Sequence, residues 1–193
     1  MSEWLSLILA ALLAQNIALV KPAGADVFLA AGRKMNTALG MGLCVTFVMS
    51  VSTAISRLLY TAALEPLDME YLGAFLAVVV IALTVQLMDP FIQKRFPALH
   101  KSMGLYMPLI AGNSALLLIA VESESSSYSY PMAVAYAFFA GLGFTVASVM
   151  LSMVIERIAY SDVPKPFRGV PAALIGAGLL ALVFTGFKGF GIG

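Results

Sequence analysis

Six apolar runs, each close to the length of a bilayer-spanning helix, constrain this chain more than any other feature. A membrane-crossing helix needs about 20 predominantly apolar residues. The runs lie at roughly Leu5 to Val20, Thr37 to Tyr60, Tyr71 to Met88, Met103 to Val121, Pro131 to Ile155 and Val170 to Phe187. Little remains for a water-soluble fold: of 193 residues, 61% are hydrophobic and 11% are charged, and a soluble domain of this size could not hide so much apolar surface. The expectation is an all-α integral membrane protein with six transmembrane helices, a single membrane domain over residues 1–193. The first run reads as a retained helix. Glu3 stands where a signal peptide carries basic residues, and Lys21-Pro22 follows without a small-x-small cleavage site.

Orientation follows from the positive charges, because Lys and Arg in short loops stay on the cytoplasmic side. The loops after the first, third and fifth runs hold Lys21, Arg33, Lys34, Lys94, Arg95, Lys101, Arg157, Lys165 and Arg168, whereas the other side holds only Arg57 and Lys188. That nine-to-two division predicts that both termini lie outside the cytoplasm of a bacterial or archaeal cell, in its cytoplasmic (inner) membrane. The net charge of +1 conceals the asymmetry and gives no reason to expect a nucleic-acid partner.

Two windows answer each other across the chain: Asn16 with Gly40-x-Gly42, and Asn113 with Gly141-x-Gly143. They suggest two related halves, repeat one at about 1–95 and repeat two at about 96–193. Three spans per half is an odd number, so the second half enters from the opposite side and the repeats are inverted. Proteins of this design place their working site near the midplane, where helices break and expose backbone groups. Break signals occur in both halves. Lys21-Pro22-Ala23-Gly24 is followed by a stretch to Gly32 that is too apolar for a solvated loop and too short to cross, which fits a re-entrant segment. The fourth run contains Pro108 and then Gly112-Asn113-Ser114, which predicts an interrupted helix. Gly40, Gly42, Gly141 and Gly143, like Gly176 and Gly178 in the last run, are read as packing positions where helices approach closely. They are assigned no ligand.

The loop Ser161-Asp162-Val163-Pro164-Lys165-Pro166-Phe167-Arg168-Gly169 makes a specific family match. With it go Asn16-Ile17-Ala18-Leu19-Val20-Lys21, Gly40-Met41-Gly42-Leu43 with Thr46-Phe47-Val48-Met49, and Tyr106-Met107-Pro108-Leu109-Ile110. Over essentially its whole length the chain resembles the Rnf–Nqr family of membrane proteins, which serve in Rnf-type ion-translocating oxidoreductases and in the sodium-pumping Nqr quinone reductase. The Pro-Phe-Arg-Gly ending is similar to the Rnf form. The resemblance implies a six-helix inverted-repeat fold and a homologous sister subunit of opposite topology, together with other Rnf-type subunits. It also implies a [2Fe-2S] iron–sulfur cluster shared between the two, each supplying one cysteine from the broken segment of each half. On this expectation the chain is a non-independent part of a translocating oxidoreductase, a stretch of the transmembrane electron and ion conduit with no complete catalytic site of its own.

At both positions that the resemblance assigns to cluster cysteines, this chain departs from the family. Asp26 stands at the first and Ser114, directly after Asn113, at the second. Cys44, the one cysteine in the sequence, lies elsewhere, in the second run. Three readings stay open. The partner's cysteines keep a cluster to which Asp26 adds an oxygen, with Ser114 nearby; the cluster is absent and electrons take another route; or the fold serves as a small inverted-repeat ion-coupled transporter without a redox role, with Asp26 as its ion site. Asp26 also has a plainer possibility, a solvated or paired place at the membrane boundary near Lys21, Arg33 or Lys34.

Other polar residues point to no chemistry. Cys44 reads as a small buried hydrophobe, His100 as a loop residue beside Lys101, Glu156-Arg157 as a solvated pair closing the fifth helix, and Glu122 to Ser127 as an outer loop. No phosphate-binding loop, zinc spacing or nucleophile elbow occurs, so flavin and nicotinamide sites are expected in other subunits.

Overall fold

The computed structural model describes residues 3–31, 35–95, 97, 100, 107–125 and 128–187. Among the described residues the regular structure is entirely helical. A bilayer offers no partner for backbone N–H and C=O groups, so a chain this apolar must close its hydrogen bonds within each segment. Helix α1 (Glu3–Leu9) runs into a π-helical turn (Ala10–Ala14), and α2 spans Ala25–Ala31. Helix α3 (Met35–Leu59) is prolonged by a second π turn, and α4 spans Gly73–Arg95. Then come α5 (Met107–Ala111), α6 (Ser114–Ser125), α7 (Tyr130–Ala159) and α8 (Val170–Gly186).

Four helical stretches are long and apolar enough to cross a membrane: Met35–Leu67, Glu70–Arg95, Met107–Glu124 and Tyr130–Ala159. Trp4–Ala14 and Val170–Gly186 are apolar but shorter. The run from Leu5 to Val20 therefore differs from its expected form. It stops as a helix at Gln15 and turns, instead of continuing to the Lys21-Pro22 break proposed from sequence. The fourth run is interrupted where expected, between α5 and α6, and Pro108 is the second described residue of α5. Glu122 to Ser125, expected as a loop, forms the last turn of α6.

The centre of the molecule is the antiparallel pair α3 and α7, which cross near their midpoints. Thr46 and Thr145 meet there with hydroxyl oxygens 3.1 Å apart, each also within hydrogen-bond distance of the carbonyl four residues back, Gly42 and Gly141, so that one proton can serve the contact between them while the other goes to a carbonyl. The glycines explain the closeness. A Cβ on Gly42 would stand 2.6 Å from Thr145 Cγ2, and one on Gly141 would stand 2.6 Å from the Thr46 Cα. The contact is reciprocal, glycine on threonine in both directions, so Gly42 and Gly141 play the same part on their two helices. The matched Gly-x-Gly windows align Gly40 with Gly141, two residues away from the Gly42 that shares its part. Gly40 itself is buried on α3.

Around this crossing lies the apolar core, with Met41, Val45, Val48 and Met49 from α3 and Phe144, Ala147 and Leu151 from α7 enclosed. Large apolar side chains on the outer faces, such as Leu43, Phe47, Phe75, Leu87 and Leu182, are exposed. That inside-out distribution suits a chain whose surroundings are lipid or other membrane helices.

Candidate functional site

The two helix breaks are each built on an asparagine. After the π turn, Asn16 is fully buried and completes four bonds to backbone: its Oδ1 accepts from the N–H groups of Ala18 (3.1 Å) and Leu19 (3.2 Å), and its Nδ2 donates to the carbonyls of Leu12 (3.1 Å) and Gly143 (2.8 Å). Backbone freed by the break is thus satisfied without water, as the membrane interior demands. Gly143 has no side chain for a steric reason. A Cβ there would stand 3.0 Å from the carbonyl oxygens of Ala11 and Leu12.

Asn113 repeats half of this arrangement. Its Oδ1 accepts from the Ala115 N–H at 2.9 Å, capping α6 in the usual manner of an N-terminal asparagine. Its Nδ2 is enclosed and makes no hydrogen bond among the described residues. Gly24, in the left-handed region at φ +70°, presses so closely on the Asn113 side chain that a Cβ could not be accommodated. The Gly24 N–H donates to Ser114 Oγ at 2.8 Å. This bond joins the break of the first half to that of the second, across 90 residues of sequence.

Asp26 and Ser114 therefore belong to one region. Both residues are exposed, Asp26 in the first turn of α2 and Ser114 at the start of α6. Beside Asp26 an open groove runs between Leu29 and Ala30 of α2, Ile155 of α7, and Gly169, Val170 and Ala173 at the start of α8. Asp26 thus opens toward the end of α7 that leads into the 161–169 loop. Of the cations that sequence placed near Asp26, Arg33 and Lys34 lie outside the described residues and Lys21 pairs with Glu122.

A second polar group lies on the other side of the breaks. Lys21 Nζ pairs with both carboxylate oxygens of Glu122, at 2.5 and 2.7 Å, and both side chains are about two-thirds buried. The Tyr136 hydroxyl donates to Glu122 at 3.2 Å, with Gln15 Oε1 3.5 Å away. Just beyond Glu122, Arg57 donates to the carbonyls of Ser123 and Glu124 at the C-terminal end of α6 and to that of Tyr128 after it. The sequence reading counts Lys21 with the inner loops and Glu122 in an outer one. Their direct pairing removes Lys21 from the inner-loop count, because its side chain reaches along α6 toward the Arg57 end. Neither this pair nor the bonds of Asn16 follow from sequence reasoning. The signal for Asn16 was available, a lone asparagine inside an apolar run whose counterpart, Asn113, stands at a marked break.

The donor set at the Asp26–Ser114 region does not fit an iron–sulfur cluster. Such clusters are held by thiolates, whereas these positions offer a carboxylate and a hydroxyl already engaged by the Gly24 N–H. Cys44 is buried in α3 and free. Asn113 Nδ2 beside this region is enclosed and has no hydrogen-bond partner among the described residues, but an amide N–H is a donor and not an iron ligand. Among the described residues no three His, Cys, Asp or Glu side chains gather closely enough to hold a metal ion. His100, read from sequence as a bare loop residue, has Nε2 3.1 Å from a carboxylate oxygen of Asp89 on α4.

Apolar helices of membrane length, two asparagine-built breaks and a hydrogen bond between them define a multi-pass membrane protein of the broken-helix class. Residues 4–191 match the family model described as "Rnf-Nqr subunit, membrane protein", and the chain belongs to that family. It is 40% identical over 189 residues to a protein of Azoarcus sp. (strain BH72), 38% to one of Shewanella loihica and 39% to one of Citrobacter koseri, covering 98% of both chains in each case. All three relatives are named as the A component of an ion-translocating oxidoreductase complex.

Proposed function

We propose that this chain is the corresponding membrane component of an Rnf-type, redox-driven ion pump, a non-independent part of the translocase. It would form part of the transmembrane electron and ion conduit beside a homologous sister subunit of opposite topology. One observation carries the reading: near-complete, end-to-end similarity to proteins named as the A component of such a complex. The exposed junction of Asp26 and Ser114 supports it as a surface to be covered within an assembly. The division into repeats at about residue 95, the inner-membrane location and the outward-facing termini belong to the same proposal. They rest on the charge count, now without Lys21, and on the reciprocal Gly–Thr contacts of α3 and α7. A complex purified from native membranes through this chain is expected to bring flavin-bearing and iron–sulfur partners with it. Recovery as a lone, cofactor-free protein would contradict the reading.

Loss of both thiol positions favours a second reading, a small ion-coupled transporter without a redox role. Under it Asp26→Asn abolishes ion-coupled uptake in vesicles containing this chain alone, and electron donors change nothing. Under the first reading, vesicles with this chain alone transport nothing.

A further inference from the structure

We propose that the junction of the two broken helices in this chain is metal-free, held by hydrogen bonds where the family resemblance calls for a shared cluster. The inference rests on the assembly proposed above and concerns what that assembly holds at this chain's face. Three observations converge. First, both ligand positions have lost sulfur, and the one thiol left, on Cys44, is enclosed in α3 beyond use as a substitute. Secondly, the replacement at the second position already has a structural role. Ser114 Oγ accepts the Gly24 N–H at 2.8 Å, so the hydroxyl is a bridge between the breaks. A hydroxyl also gives up its proton far less readily than a thiol, and neutral or hard oxygen donors suit hard cations better than iron–sulfide cores. Thirdly, the two breaks are held together without a cluster, with the enclosed Asn113 Nδ2 as the one side-chain group at the breaks left without a partner among the described residues. Asn16 makes its full set of backbone bonds, Gly24 is pinned against Asn113, and the Lys21–Glu122 pair fastens the same two segments a few residues away. The two halves are clasped by Ser114–Gly24 on one side and Lys21–Glu122 on the other, so no metal is needed to hold them.

The test compares intact complexes, purified through this chain and matched for subunit composition, that carry either the natural residues or Asp26→Ala with Ser114→Ala. Iron and acid-labile sulfide are counted per chain, and low-temperature electron paramagnetic resonance is recorded after reduction. The proposal expects identical iron and sulfide content and superimposable spectra. It is overturned if the variant complex loses about two irons and two sulfides together with one [2Fe-2S] signal, the loss expected if oxygen ligands from this chain held a cluster. Asp26→Asn, which keeps the side-chain shape, covers the case in which the alanine variant does not assemble. It gives the same two outcomes. Failure of the assembly reading looks different: no redox partners co-purify with the natural chain, and the isolated protein itself is then assayed for iron, whose presence would again overturn the proposal.

Discussion

Asn16 and Asn113 stand at equivalent breaks but bear unequal loads. Asn16→Ala removes four hydrogen bonds and leaves the Leu12 and Gly143 carbonyls without that donor. Asn113→Ala removes one bond and also the enclosed amide that has no partner. With about 1 kcal/mol net per bond, and more where a buried group is orphaned, Asn16→Ala is expected to cost roughly 3 kcal/mol more than Asn113→Ala. Thermal unfolding of the two variants in detergent measures the difference. Lys21 and Glu122 make a comparable pair. Lys21→Met leaves a part-buried carboxylate without its cation and should destabilise by about 2 kcal/mol, less than a fully buried pair because both groups retain some exposure. Adding Glu122→Gln should recover most of that loss, and an unrecovered double variant would show that the pair does not act as a unit.

At the scale of elements, α3 and α7 can cross closely only where glycine leaves room. Gly141→Ala would drive a Cβ to 2.6 Å from the Thr46 backbone, whereas Gly178→Ala on α8 meets nothing within 4 Å. The first should lower the thermal midpoint markedly and the second should leave it unchanged within error. This contrast also indicates what the sequence could convey. Apolar length made the long helices legible, since spans expected at Thr37 to Tyr60 and Pro131 to Ile155 became α3 and α7 with small shifts at their ends. The break at Gly112–Asn113 was legible because glycine marks it. The break after Ala14 was not, because no Gly or Pro stands there and its stability comes from a carbonyl 127 residues away. Lys21 was misplaced for a related reason. A lysine after an apolar run resembles a loop anchor until its partner, Glu122, is known.

For the whole molecule, the proposed orientation rests on charge asymmetry and the proposed place in a larger machine on family membership. With Lys21 removed the inner side still dominates, so a reporter fused after Gly193 is expected to be active only on the non-cytoplasmic face, and cytoplasmic activity would refute the orientation. The fold positions two clasped breaks at an exposed junction, and the residues present there offer no thiolate to a cluster. The family frame was readable in the loop from Ser161 to Gly169 and in the asparagine and glycine windows. The engagement of Ser114 with Gly24 was not, since it depends on two segments meeting in space. Redox-driven ion uptake by membrane vesicles bears most directly on the central claim. Vesicles from cells lacking this chain should lose the ion gradient formed on adding the complex's electron donor, and re-expression should restore it. A gradient of undiminished size without the chain would contradict its place in the pump.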